Sequence, residues 1–193
     1  MRDPKIQKGA AVRRSQALKV ILVLVIGLTS FQAVGQHRAR ELSPEYRKWL
    51  SEDVRWIMTT AERKEFLALS SDEQRAQFVV AFWERRNPTP GSKENAFKEE
   101  HYRRMAFANE HFAAGMEGWR TDRGRIYVVY GPPDSIVAKK PQEGQDFPYE
   151  VWTYVHLPGV GENVSVEFID DCVCGAYELA RGSEKVLGPS LSR

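Results

Sequence analysis

An α+β fold, with an N-terminal helical segment of about four helices followed by a small antiparallel β-sheet of about four strands, is what this chain of 193 residues predicts. Three observations predict it. Between Ser43 and Ala113, apolar residues recur every three or four positions behind helix-start signals. Beyond Gly118 they give way to β-branched and aromatic runs bounded by glycine and proline. The helix signals all precede the strand signals, with no internal repeat, which argues against the interleaved order of a parallel α/β sheet.

The elements follow in order. Ser43-Pro44 opens the first helix, with Ser as N-cap and Pro at the first helical position. Tyr46, Leu50, Val54 and Ile57 form its apolar stripe, widened by Trp49 and Trp56. Thr59-Thr60-Ala61-Glu62 is a capping-box pattern that starts a second helix through Phe66, Leu67 and Leu69. Ser71-Asp72-Glu73-Gln74 starts a third, carrying Phe78, Val79, Phe82 and Trp83, and Asn87-Pro88-Thr89-Pro90-Gly91 stops it. A fourth runs from about Glu94 to Ala113, with Phe97, His101, Met105, Ala108 and Phe112 on one face. Ile126–Tyr130 reads as a central strand because both its faces are apolar or aromatic. Residues 138–148 read as a loop, Tyr149–Leu157 as a second strand, and Val164, Val166 and Phe168 as the inward positions of a third. Ala176–Ala180 is the last strand.

Charge and targeting come next. The composition, 42% hydrophobic and 28% charged, is that of a globular protein, neither disordered nor embedded in a membrane throughout. Residues 1–35 carry six basic groups (Arg2, Lys5, Lys8, Arg13, Arg14, Lys19) against Asp3. Removing these from the chain's 28 and 26 leaves 22 basic and 25 acidic groups for residues 36–193, a net of −3. No basic footprint for nucleic acid exists there. The basic start, the apolar run Val20–Leu28 and the pair Ala33-x-Gly35 together form a signal-peptide pattern with cleavage before Gln36. The apolar run is shorter than the roughly 20 residues a spanning helix needs. Gln16 argues against a twin-arginine reading of Arg13-Arg14, and no cysteine stands near the cleavage point for a lipid anchor. The organisation expected is a signal peptide over 1–35, a linker over 36–43, the domain over 44–181 and a flexible tail over 182–193. The expected location is the periplasm, the cell envelope or the medium, with membrane contact only through the export signal.

The densest stretch runs Gly118-Trp119-Arg120-Thr121-Asp122-Arg123-Gly124-Arg125, then the apolar run to Tyr130, then Gly131-Pro132-Pro133-Asp134. Thr121–Gly124 reads as a tight turn in which Thr or Asp bonds the backbone and Gly124 takes a positive φ. Trp119 reads as a buried plug between the last helix and the sheet. As paired catalytic acids, Asp122 and Asp134 would stand roughly 17 Å apart across five strand residues, beyond the roughly 5–10 Å of glycosidase pairs. His37, His101, His111 and His156 have no zinc-type spacing, and no phosphate-binding or nucleophile-elbow motif occurs. No cofactor, metal or catalytic residue is therefore assigned.

Cys172 and Cys174 stand apart. In an extended strand they would lie about 6.7 Å apart on one face, wider than the roughly 4 Å between the β-carbons of a disulfide. A bridge needs a bulge or turn, which Gly175 permits. A local thiol pair is the first reading, ahead of a bridge, a cross-link between chains, or half a metal site completed by His156 or the aspartates.

Gly118-Trp119-x-Thr121-Asp122, continued by Gly124-Arg125-Ile126-Tyr127 and Tyr130-Gly131-Pro132-Pro133-Asp134, resembles the signature of the GWxTD domain family. Glu52-Asp53-Val54, Phe82-Trp83, Pro88-Thr89-Pro90-Gly91, Glu94-Asn95 and Tyr102-Arg103-Arg104 extend the resemblance over roughly residues 45–180. It implies an exported bacterial domain and brings no established activity or cofactor with it. Two departures stand out: Asn87 where the family tends to show Asp, and the Asp170–Gly175 stretch, whose cysteines replace an Asp/Gly-rich segment.

These readings lead to a non-catalytic envelope interaction module, using aromatic and Arg groups around the 118–134 loops toward an envelope protein or polymer. The rivals are a hydrolase assembled from Asp122, Asp134, Arg125 and a histidine, and a carbohydrate or peptidoglycan binder using exposed Trp119 and Trp152. A concave pocket enclosing two or more titratable side chains would favour the enzyme.

Overall fold

Three of the helices begin where their sequence signals stand. In the computed structural model, which describes residues 41–140 and 147–186, Ser43 caps α1 (Pro44–Lys48) by accepting the Tyr46 N–H. Thr59 and Glu62 exchange reciprocal bonds at the start of α2 (Thr60–Ala68), as do Ser71 and Gln74 at the start of α3 (Asp72–Glu84). Asn95 caps α4 (Ala96–His111), and its side-chain amide also donates to the Trp83 carbonyl at 2.7 Å. The leader, most of the linker, residues 141–146 of the expected loop and residues 187–193 of the tail lie outside the described residues.

The stripe of α1 does not continue to Ile57 in one helix. The chain widens into a π-helical turn, Trp49–Asp53, and leaves the helix at Val54. The wider turn still lets Trp49, Leu50 and Val54 all point inward. They pack with Met58, Phe66, Phe78, Phe82 and Trp83 into a first core. Trp49 meets the rings of Phe66 and Phe82 at 5.1 and 5.3 Å, tilted or edge-on, the geometry aromatic quadrupoles favour.

The sheet is antiparallel, in the order β1 (Ser135–Lys139), β2 (Tyr149–Leu157), β3 (Gly161–Ile169), β4 (Glu178–Leu179). Together with the preceding helices it makes the fold α+β. Its covered face carries Trp152, Tyr154, Val164, Val166 and Phe168, paired in register as Trp152 with Val166 and Tyr154 with Val164. Against it packs a second core of Ala108, Phe112, Trp119, Ile126 and Val128.

Two expectations about local structure are corrected. Ile126–Tyr130 is not a strand but the end of a helix, α5 (Asp122–Tyr130). Thr121 starts that helix as its N-cap, and Ile126 and Val128, 0% and 2% exposed, bury against the sheet from it. β-branched composition is a weak preference that a cap and a packing partner override. The first strand is Ser135–Lys139 instead, so residues 138 and 139 belong to the sheet and not to the expected loop. The tail also opens with a helical turn, α6 (Ser183–Val186), where the Ser183 hydroxyl accepts the Glu167 N–H. Among the described residues no helix is long and apolar enough to cross a membrane.

Candidate functional site

The motif residues stack three pieces of backbone directly on one another. Gly118 opens a short 3₁₀ turn (Gly118–Arg120) against α4, where a β-carbon would fall 1.8 Å from the Ala108 carbonyl oxygen. Gly124, in the first turn of α5, lies against Gly118, and a β-carbon there would fall 1.8 Å from the Gly118 oxygen. Gly124 is therefore needed for close approach and not for the positive φ expected of it; its backbone is helical. Trp119 between them is 5% exposed, its N–H donating to Asn109 Oδ1, its carbonyl accepting the Trp56 indole N–H at 3.0 Å. The Thr121 hydroxyl donates to the Gly118 carbonyl and accepts the Gly124 N–H.

The carboxylates of the motif bind backbone. Asp122 Oδ2 accepts the Leu179 N–H of β4 at 2.8 Å, and Oδ1 pairs with Arg125 at 3.2 Å. Arg125 also lies over the Trp56 ring. Past Tyr130, Gly131 takes φ 88 and ends α5, its N–H bonded to Tyr127. The Arg104 guanidinium covers Gly131 so closely that a β-carbon would meet Nη2 at 2.8 Å, which puts a cation at the negative end of α5. The Tyr154 hydroxyl donates to the Gly131 carbonyl. After Pro132 and Pro133, Asp134 donates its N–H to the Thr153 carbonyl and accepts the Val155 N–H at 2.6 Å.

Asp122 is thus the first residue of α5 and Asp134 lies past its other end, with the roughly 13 Å length of a nine-residue helix between them. No histidine among the described residues bonds to either. His101 is held at Asp53, His111 stacks on Phe107 at 3.9 Å, and His156 pairs with Glu162. Trp119 and Trp152 are both buried, Trp152 at 0% exposure with its N–H on Glu150. That corrects the reading in which exposed tryptophans bind a polymer.

A concave site does exist, but between α4, α5 and the end of α3. It is a cleft of about 270 Å³ lined by Arg86, Phe97, Glu100, His101, Arg104 and Val128. Its cations have partners: Arg86 donates to both oxygens of Glu62 at 2.9 and 2.8 Å, and Arg104 to Glu100 at 2.8 Å. Burial alone would raise the Glu62 carboxyl, but bonds from Arg86 and Thr59 outweigh it and hold the group at about 2. Burial pushes His101 below its ordinary value, against the opposing pull of the Asp53 carbonyl. Because that carbonyl can only accept, Nε2 carries the proton, which makes the buried Nδ1 an acceptor with no partner among the described residues.

Sequence reasoning missed Arg123. Its guanidinium donates to Glu150 Oε1 and to the Gly175 carbonyl, each at 3.1 Å, and lies 4.2 Å over the Tyr177 ring. Its place inside the motif was the available signal, but its partners come from β2 and the Asp170–Gly175 loop, 27 and 52 positions away. That loop is also where an expectation fails: Cys172 and Cys174 form a disulfide. Val173 at φ 53 and Gly175 at φ 85 turn the chain, and the cysteine α-carbons lie 5.2 Å apart, well inside the extended spacing. Asn87, the other departure, is buried, with Oδ1 accepting the Thr89 N–H and its amide 3.5 Å from Glu84 Oε2, a contact that an aspartate would make repulsive.

No curated protein and no solved structure matches the chain. The family model for the GWxTD domain matches residues 30–184, which takes in every strand and every helix described above except the end of α6. The chain belongs to the GWxTD domain family.

Proposed function

We propose that this protein is an exported, non-catalytic interaction module of the cell envelope. One observation carries the reading: the motif's two carboxylates both accept backbone N–H groups, from Leu179 and Val155, so the signature joins helices to sheet instead of facing a substrate. The surface it supports is the edge strand β1, whose outer side pairs with nothing among the described residues and whose Ile136 and Val137 are about half exposed. Edge strands of this kind accept a further strand from a partner. The leader pattern supports export. Capture from envelope extracts with the exported protein, compared with an Ile136→Lys, Val137→Lys variant, tests the proposal. Stoichiometric partners lost in the variant support it, and an absence of any stoichiometric partner removes it.

A hydrolase is favoured by a single feature, His101 in the lining of the cleft, whose buried Nδ1 has no partner among the described residues. Turnover of ester, amide or phosphoester substrates that disappears in His101→Gln would move the function there.

A further inference from the structure

We infer that Cys172–Cys174 is a redox-active disulfide that exchanges with protein dithiols, not a structural brace. Four observations carry this. The bridge encloses three residues only, and the stabilisation a disulfide gives grows with the loop it closes, so this one contributes little to the fold. Both cysteines are exposed. The loop beneath them is anchored: Asp170, 4% exposed, accepts the N–H groups of Cys174 and Gly175 at 3.0 and 2.9 Å, and Arg123 of the motif holds the Gly175 carbonyl. The sulfurs are thus presented on a fixed platform. Finally, Val173 between them sits at φ 53, a region that β-branched residues avoid, so the closed bridge keeps backbone strain that opening releases.

The exchange balances as follows. A thiolate of the incoming dithiol attacks Cys174 Sγ, which leaves Cys172 Sγ, 3.3 Å from Asp170 Oδ1, as the sulfur that is released. A mixed disulfide forms, the Cys172–Cys174 bond breaks, and its electron pair leaves on Cys172, which takes a proton and donates its S–H to Asp170 Oδ1. The second thiolate of the dithiol then attacks its own partner sulfur and expels Cys174 as a thiolate, which is protonated in turn. The dithiol ends as a disulfide, and its two electrons and two protons reside on Cys172 and Cys174.

The test uses the exported chain with dithiothreitol as the dithiol probe, following thiols by alkylation and intact mass while tryptophan fluorescence reports the fold. The expected result is reduction of the folded protein, with fluorescence and melting temperature unchanged. Val173→Gly, which removes the strain, shifts the equilibrium about tenfold toward the disulfide. Cys172→Ser, which leaves a lone thiol and no bridge to open, takes up no electrons from dithiothreitol. A bridge that opens only when the chain unfolds overturns the inference. So does a large loss of melting temperature on reduction, or a Val173→Gly equilibrium equal to that of the wild type.

Discussion

The core around Trp49, Phe66, Phe78 and Phe82 is assembled from one stretch of chain, residues 49–83, whereas the core around Trp119, Ile126 and Trp152 joins residues from 108 to 168. In the first, each α-helix has its own start signal, and the contacts are between side chains, among them the rings of Trp49, Phe66, Phe78 and Phe82. In the second, three backbones touch through Gly118 and Gly124, and no side-chain adjustment can absorb an added atom. Side chains can repack around an added atom at a cost, whereas a backbone contact at a glycine leaves that atom no room.

The sharpest way to break this contrast is Gly118→Ala. A methyl group 1.8 Å from the Ala108 oxygen must push α4 and the 3₁₀ turn apart, and the expected loss is on the order of 5 kcal/mol, at the extreme of single substitutions. Urea unfolding followed by tryptophan fluorescence measures it. A variant that unfolds with the wild type would show that the stack does not hold the second core.

Acid should act on the first core. The Glu62 carboxyl sits at about 2 in the fold against its ordinary 4.5, so its stabilisation is complete above about pH 4.5 and is lost as pH falls toward 2. The loss amounts to about 3 kcal/mol for a shift of that size. His101, held below its ordinary 6.5, loses stability in a milder window just beneath that value, because the unfolded chain takes up the proton first. Stability measured from pH 7 to 2.5 should therefore fall in two stages, and Glu62→Gln should remove the lower one. A Glu62→Gln profile parallel to that of the wild type would count against the Arg86 pair as its cause.

The smallest expected effect is that of Asp122→Asn. The amide keeps an oxygen for the Leu179 N–H but loses the ion pair with Arg125, for about 1 kcal/mol. Thermal melts read this directly. A variant as stable as the wild type but without partner capture would make the carboxylate part of the interaction surface instead of the frame.

The difference between the regions also decided what could be read from the chain. Ser43, Thr59 and Ser71 act on backbone N–H groups three residues away, so their helices are legible where they stand. Val164, Val166 and Phe168 are legible because alternation against a covered face is a local pattern too. Ile126–Tyr130 was misread because its β-branched residues carry a strand preference, while the helix there is imposed by Thr121 behind it and the sheet beneath it. Arg123 was overlooked for the same reason, since both of its partners are distant in sequence.

By itself, then, the sequence determined the α+β order, the helix starts, the burial of Trp119 and the family, because caps, periodicity and motif spacing act over a few residues. Only the tertiary structure decided that Gly124 serves close approach, that Asp122 and Asp134 bind backbone, and that Cys172 and Cys174 bridge across a turned Val173. Each of these depends on where a second segment of chain arrives, and neither periodicity nor composition records the distance between segments far apart in sequence.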